Sequence, residues 1–112
     1  MKDVTASIGV WSRQSGTIVA NAVNELGEPE ELGKILSGLF SSQKDALCAA
    51  IYGIFCDRDP ETVSVYCDIE SYVKNSGTDF SYLYDGTSWY FVKRNSKEFR
   101  DLNYFLLTSK HG

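Results

Sequence analysis

Histidine, methionine, proline and long apolar runs are scarce in this 112-residue sequence, which has one histidine, one methionine and two prolines. The single histidine, His111, stands beside the last residue, so we expect neither a Cys–His nor a Ser–His catalytic pair. No apolar run approaches the roughly 18 residues that a membrane-spanning helix needs, and no signal-peptide pattern is present. These absences predict a cytoplasmic protein that does not enter a membrane.

Positive charge is also in short supply, because 11 Lys and Arg residues are outnumbered by 15 Asp and Glu residues and the net charge is −4. Proteins that bind phosphate backbones rely on clustered Lys and Arg, so nucleic acid is disfavoured as the main partner. Lys93, Arg94 and Lys97 form the main basic cluster, which is either a solvated patch at a helix entry or a phosphate contact. A nucleic-acid-binding alternative would use these three residues and Lys44.

Three cysteines, Cys48, Cys56 and Cys67, are an odd number without the spacing of a metal site. Each stands in an apolar context. We therefore expect reduced thiols in the core of a protein from a reducing compartment, and no disulfide framework.

The composition, 43% hydrophobic and 13% aromatic, predicts one globular domain over residues 1–112. Apolar and β-branched runs predict strands at residues 4–11, 17–23, 34–40 and 63–67, the first three as an antiparallel meander. Helices are predicted at residues 43–55, from about residue 69, and from residue 95 or 96, where Phe99, Leu102, Phe105 and Leu106 form an apolar stripe. Residues 75–88 are predicted to form a polar and aromatic connection.

The chain is organised around residues 42–73. Helical spacing of apolar residues and the small side chains of Ala49 and Ala50 predict a helix that packs closely on a sheet, with Ser41 or Ser42 as its N-cap. The strand after this helix ends on a lone carboxylate, Asp68. In an α/β sheet, sites gather at the carboxyl ends of strands.

The order strand-strand-strand-helix-strand-helix-helix, together with several short segments, resembles ribonuclease H of the bacterial type. Residues 42–51 (SQKDALCAAI) are similar to the start of the family's first helix, and residues 4–7, 34–38 and 95–102 resemble its first strand, third strand and next long helix. Cys67 and Asp68 are similar to the Thr-Asp that ends the family's fourth strand, and Tyr72 and Val73 to the Tyr-Val close behind it. The resemblance implies an α/β fold with a three-stranded antiparallel meander, a parallel fourth strand and helices packed on the sheet.

The family holds two divalent ions with four carboxylates, and this sequence departs from that pattern. The resemblance places Ala6 and Ala46 at two of the acidic positions and retains only Asp68. The fourth position has no counterpart, because the sequence ends before a fifth strand is expected. One carboxylate does not hold two Mg²⁺ ions. We therefore expect no catalytic residue and no cofactor, and interpret Asp68 either as a cap for the next helix or as a weak Mg²⁺ ligand.

The family's basic substrate-binding handle is replaced by residues 80–89 (FSYLYDGTSW), which contain no Lys or Arg. Tyr82, Tyr84 and Trp89 belong either to the core, to a protein interface or, less in keeping with the missing cations, to a base-stacking surface.

Without a fifth strand, residues 63–67 are expected to form an exposed, apolar sheet edge that includes Val63 and Val65. The sequence thus predicts a catalytically inactive ribonuclease H-like domain that associates with itself or a protein partner through Val63, Val65, Tyr82, Tyr84 and Trp89. The alternative is a nuclease or hybrid binder whose Mg²⁺ site is completed by a partner or by a further segment.

Overall fold

The computed structural model describes residues 4–12, 14–23, 28–52, 63–96 and 98–108. These residues build a mixed sheet of six strands, β1 (Ala6–Trp11), β2 (Ile18–Val23), β3 (Ser64–Tyr66), β4 (Phe80–Tyr84), β5 (Trp89–Lys93) and β6 (Arg100–Asp101). Their order across the sheet is β3-β2-β1-β4-β5-β6. The central pair, β1 and β4, is parallel, and all other neighbours are antiparallel.

A π-helical turn, Pro29–Gly33, runs directly into α1 (Lys34–Leu39), and three further helices come later in the chain: α2 (Gln43–Tyr52), α3 (Ile69–Asn75) and α4 (Leu102–Thr108). The hydroxyl of Ser42 accepts a hydrogen bond from the Asp45 backbone N–H at 3.2 Å, which confirms Ser42 as the cap of α2. Among the described helices, none combines the length and apolar composition that crossing a membrane requires.

One face of the sheet is covered by α1, α2 and α4. The small side chains of Ala46, Ala49 and Ala50 are fully buried, so they bring α2 close to the strands, as its sequence predicts. Gly33 has the same effect for α4, because a Cβ atom at Gly33 would lie 2.7 Å from Leu102 Cδ1. The buried residues of this core are Ala6, Ile8, Val10, Leu32, Leu36, Ala46, Ala49, Ala50, Tyr82, Tyr84, Trp89, Phe91, Leu102 and Leu106.

The opposite face of the sheet is covered by α3. Its central residue, Tyr72, is fully buried against Ile18, Ala20 and Leu83. The Tyr72 hydroxyl donates a 2.7 Å hydrogen bond to the backbone carbonyl of Tyr82 in β4. The predicted short helix near residue 69, carrying Tyr72, is therefore confirmed.

Residues 34–40 form helix α1 and its end, so the prediction of a third strand there is wrong. Leu32 and Leu36, one helical turn apart, are both fully buried, and Pro29 stands at the start of the π-helical turn. The helical spacing of the two leucines outweighs the single β-branched residue of the segment, Ile35.

The predicted connection at residues 75–88 contains β4, and residues 80–93 form the β4–β5 hairpin, so the prediction that a fifth strand is absent is also wrong. Ser81 and the tyrosines make the segment look polar, yet Ser81, Tyr82, Leu83 and Tyr84 are all buried. The Asp85 carboxylate accepts hydrogen bonds from the backbone N–H groups of residues 87 and 88, at 2.8 and 2.9 Å, and this closes the hairpin turn.

The predicted strand at residues 63–67 is found as β3, but it is antiparallel to β2 and not a parallel strand beside β1. The predicted helix at residues 43–55 is described as far as Tyr52, and its last turn lies outside the described residues. The final helix begins at Leu102 and not at residue 95 or 96, because Asn95 has a left-handed backbone (φ 71°) and Arg100 and Asp101 pair with β5. Asp101 then caps α4 by accepting a 3.0 Å hydrogen bond from the Tyr104 backbone N–H.

Candidate functional site

Asp68, the carboxylate that the sequence singles out, caps helix α3. Its backbone is extended, and its Oδ1 atom accepts a 2.7 Å hydrogen bond from the Ser71 backbone N–H. This hydrogen bond stabilises the ionised form and lowers the pKa of the Asp68 carboxyl group below its usual value. The capping interpretation of Asp68 is confirmed.

The three positions that the resemblance assigns to a metal site, Ala6, Ala46 and Asp68, do not come together. Tyr66, two residues before Asp68, pairs with Ile18 in β2, and Ile18 pairs with Trp11 at the end of β1. Ala6 is at the other end of β1, five residues before Trp11, which is about 17 Å along the strand. Ala6 and Ala46 are buried in the core between the sheet and helices α1, α2 and α4, whereas Asp68 is exposed. In the described part of the chain no group of three or more His, Cys, Asp or Glu residues could hold a metal ion.

Tyr82, Tyr84 and Trp89 belong to the core, and their prediction as interface residues is corrected. Tyr82 is fully buried, and Tyr84 and Trp89 are almost so. The Tyr84 hydroxyl donates to the Ser41 carbonyl at 2.9 Å, and the Trp89 Nε1–H donates to the Phe40 carbonyl at 2.7 Å. These side chains therefore hold the α1–α2 connection against the sheet and are inaccessible to a partner in this conformation.

The remaining predicted interface residues, Val63 and Val65, lie at the sheet edge. Val65 is 63% exposed and Val63 is half-buried. Within the described residues, β3 has a hydrogen-bonded neighbour on one side only, namely β2. No other strand of the described part of the chain pairs with the backbone groups on its other side, and an unpaired strand edge can accept a further strand.

The opposite edge of the sheet is built differently. Its strand β6 has only two residues, Arg100 and Asp101, and both are exposed and charged. Short, charged edge strands disfavour pairing with other chains. Both edge strands are short, but β3 has no charged residue and carries the exposed Val65.

A cleft of about 1010 Å³ lies beside α3. One wall is α3 itself, the base includes β4 and β5, and the turn after β5 forms the other rim. Its lining residues are Ile69, Glu70, Val73, Lys74, Gly77, Thr78, Ser81, Val92, Lys93, Arg94, Asn95, Ser96 and Phe99. No sequence signal placed these segments together, because β4 and β5 were not predicted as strands.

The cleft gathers three exposed cations, Lys74, Lys93 and Arg94. Lys93 and Arg94 belong to the predicted basic cluster, Lys97 lies outside the described residues, and Lys74 is an addition that sequence reasoning missed. Lys44 is on α2, which covers the other face of the sheet, so it does not join this group. The predicted set of four cations is therefore not a single surface.

Cys48 and Cys67 are free and exposed, so their prediction as core thiols is wrong. Cys48 is on α2, where the alanines and not the cysteine face the sheet, and Cys67 directly follows the edge strand. Cys56 lies outside the described residues.

Comparison with protein-family models, with curated proteins and with solved structures finds no match to this chain. No family therefore assigns a role to the β3 edge or to the cleft.

Proposed function

We propose that this chain is a non-catalytic protein-interaction module that binds an extended segment of a partner protein along the outer edge of β3. The observation that carries the proposal is the exposed Val65 on an edge strand with one hydrogen-bonded neighbour among the described residues. Strand addition satisfies backbone N–H and C=O groups and places alternate side chains of the added strand on the two sheet faces.

The edge offers both components of such an interaction. Although β3 is only three residues long, Ser64, Val65 and Tyr66 include no proline and no charged residue, which are two of the features that protect edge strands. Val65 supplies an exposed apolar side chain, and Ile69, at the start of α3, is a second large exposed apolar residue shortly after it in the chain. A partner strand would gain backbone hydrogen bonds from β3 and apolar contact from Val65.

A non-catalytic role is supported by the hydrogen bonding of the Asp68 carboxylate. Asp68 is engaged as a helix cap, and the described residues contain no cluster suited to a metal ion. The proposal of a nuclease completed by a partner has no such support, since the positions that the partner would complete are buried or far apart.

We also propose a distant, inactive ribonuclease H-like relationship for the fold. Its support is a set of three antiparallel strands, β1, β2 and β3, beside a fourth strand that is parallel to β1. The residue correspondences for the third strand, the fourth strand and the last helix are not part of this proposal, because those segments form other elements. A cytoplasmic location stays a prediction.

The test is affinity capture with three forms of the chain: wild type, Val65→Lys and Leu107→Lys. Leu107 on α4 is 66% exposed, so its substitution is a matched control for loss of an exposed apolar side chain elsewhere. We expect Val65→Lys to abolish capture of a partner that wild type and Leu107→Lys both retain, because a charge on an edge strand opposes pairing. In the isolated complex, hydrogen exchange at the amides of residues 64–66 is expected to slow.

Partner binding that survives Val65→Lys, or a complex in which residues 64–66 exchange at the free rate, would contradict the proposal. Sedimentation of the pure chain identifies the special case in which the partner is a second copy: a dimer that Val65→Lys dissociates and Leu107→Lys does not.

A further inference from the structure

The cleft beside α3 concentrates positive charge in a chain whose net charge is −4. We propose that it binds an amphipathic organic anion, that is, an apolar body carrying a phosphate or carboxylate group. The cleft shares Ile69 with the surroundings of the β3 edge but does not include β3 itself, and the two proposals rest on different observations.

Charge is the first argument. Among the described residues, four charged side chains line the cleft: Lys74, Lys93 and Arg94 are cationic, and Glu70 is the one carboxylate. All three cations are exposed, so an anion can reach them from solvent. An anionic group that enters the cleft is attracted by these three cations.

The apolar part of the lining is the second argument. Val73 of α3, Val92 of β5 and Phe99 line the same cleft as the cations. Val92 is almost fully buried, and Phe99 and Val73 are partly so. Ligand sites commonly combine such apolar surface with a few polar groups that fix orientation. A simple inorganic anion would leave this surface unused, whereas an apolar body would cover it.

Two polar side chains of the cleft, Thr78 and Ser81, are held in place before any ligand arrives. The hydroxyls of Ser76 and Ser81 are 2.9 Å apart, and the Thr78 hydroxyl donates to the Phe80 carbonyl at 2.9 Å. The rim that carries Arg94 is fixed by a 2.8 Å hydrogen bond from its backbone N–H to the Asp79 carbonyl. A preformed site loses less conformational entropy when it binds a ligand.

The size of the cleft favours a small anion over nucleic acid. A volume of about 1010 Å³ is close to the upper end of the range of small-molecule pockets, roughly 300–1,000 Å³. A duplex needs cations spread along several phosphates, and Lys44, the further cation of the nucleic-acid alternative, is on a helix that covers the opposite sheet face. The cations of the cleft thus suit one or two anionic groups.

The test is an NMR titration of the whole chain with phenyl phosphate. Two matched probes separate the components: inorganic phosphate has the charge without the ring, and benzyl alcohol has the ring without the charge. We expect phenyl phosphate to shift the amides of residues 73–78 and 92–96 and to bind more tightly than either probe. Benzoate, the carboxylate counterpart, is expected to shift the same amides.

Charge-removing variants locate the site. Lys74→Gln and Arg94→Gln are each expected to lower the affinity for phenyl phosphate by about fivefold, which is the effect of losing one exposed charge contact. Lys44→Gln removes a comparable exposed charge on the opposite face and is expected to change nothing. Val65→Lys is likewise expected to leave the affinity unchanged, so failure of the interaction proposal does not imply failure of this one.

A phosphotyrosine peptide distinguishes the source of the anion. Tighter binding of the peptide than of phenyl phosphate assigns the anion to a protein side chain, and equal or weaker binding assigns it to a free small molecule. The proposal is overturned if phenyl phosphate causes no shifts, if it binds no better than inorganic phosphate, or if Lys44→Gln weakens it as much as Arg94→Gln does.

Discussion

Tyr72 of α3 lies directly over Gly9 in the middle of the central strand. A Cβ atom built on Gly9 would be 2.7 Å from Tyr72 Cζ and 2.9 Å from its hydroxyl oxygen. The Tyr72 ring cannot withdraw, because it is fully buried and its hydroxyl is bonded to the Tyr82 carbonyl. The absence of a side chain at Gly9 therefore fixes the distance between α3 and the sheet.

Gly9→Ala is expected to destabilise the fold by about 1–3 kcal/mol, the usual cost of forcing extra volume into a packed core. Gly38→Ala is the matched control, because nothing lies within 4 Å of a Cβ atom at that position in α1. There, replacing glycine in a helix should stabilise by about 0.5–1 kcal/mol. Urea denaturation of the three proteins measures both effects, and equal stability of the two variants would disprove the close contact.

Tyr72→Phe is expected to cost about 1–3 kcal/mol, because it leaves the Tyr82 carbonyl without its side-chain donor in a buried site. Tyr104→Phe is the control, since Tyr104 is one of the large exposed residues of the chain. Thermal unfolding of both variants provides the measurement. A Tyr72→Phe variant as stable as Tyr104→Phe would show that this hydrogen bond does not contribute to stability.

The same tyrosine predicts a loss of stability in alkali. Burial raises the pKa of the Tyr72 hydroxyl well above its ordinary value of 10.0, so the folded chain keeps a proton that the unfolded chain releases. The contribution of Tyr72 is therefore complete below pH 10 and is lost as the pH rises through the folded-state pKa. The free energy of unfolding, measured against pH, should fall less steeply above pH 10 in Tyr72→Phe than in wild type.

Asp68 is expected to act through its cap and not through a metal ion. Asp68→Ala should lower stability, Asp68→Asn should retain most of it, and Glu70→Ala, a nearby exposed change, should have little effect. The pKa of the Asp68 carboxyl is lowered in the folded state, so its contribution is present above its ordinary pKa of 3.8 and is lost as the pH falls through the folded-state value. Denaturation with and without Mg²⁺ provides the check; stabilisation by Mg²⁺ that Asp68→Asn removes would contradict this role.

Trp89 distinguishes a core residue from an interface residue. Trp89→Ala is expected to cost about 3–5 kcal/mol, because it empties a buried site and removes the hydrogen bond to the Phe40 carbonyl. Replacing an exposed aromatic such as Tyr104 by alanine should lower the free energy of unfolding by about 0.5 kcal/mol or less. Chemical denaturation of both variants provides the measurement. A Trp89→Ala variant as stable as wild type would show that the Trp89 side chain is not part of the core.

Local patterns were sufficient for several elements. Strands β1 and β2, helix α2 with its Ser42 cap, and the helix around Tyr72 follow from short-range signals that lie within each segment. Other segments have signals that compete. Residues 34–40 resemble a strand because of their apolar content, but the spacing of Leu32 and Leu36 selected a helix once both side chains could be buried.

No local sequence pattern predicts the parallel pairing of β1 with β4. It joins residues separated by more than 70 positions, such as Ala6 and Phe80, and it buries tyrosines and serines that look polar in the sequence. Because of this pairing, the aromatic stretch became core, and Lys74, Lys93 and Arg94 came to line one cleft.

The sequence by itself determined the mixed α/β class and the capping role available to Asp68. Those properties depend on residue type and on neighbours a few positions away. The tertiary structure alone decided that the acidic positions suggested by the resemblance do not meet, that the cysteines Cys48 and Cys67 are exposed, and that a basic cleft exists. Strand pairing sets these outcomes, because it depends on contacts between distant segments and not on the propensity of either segment alone.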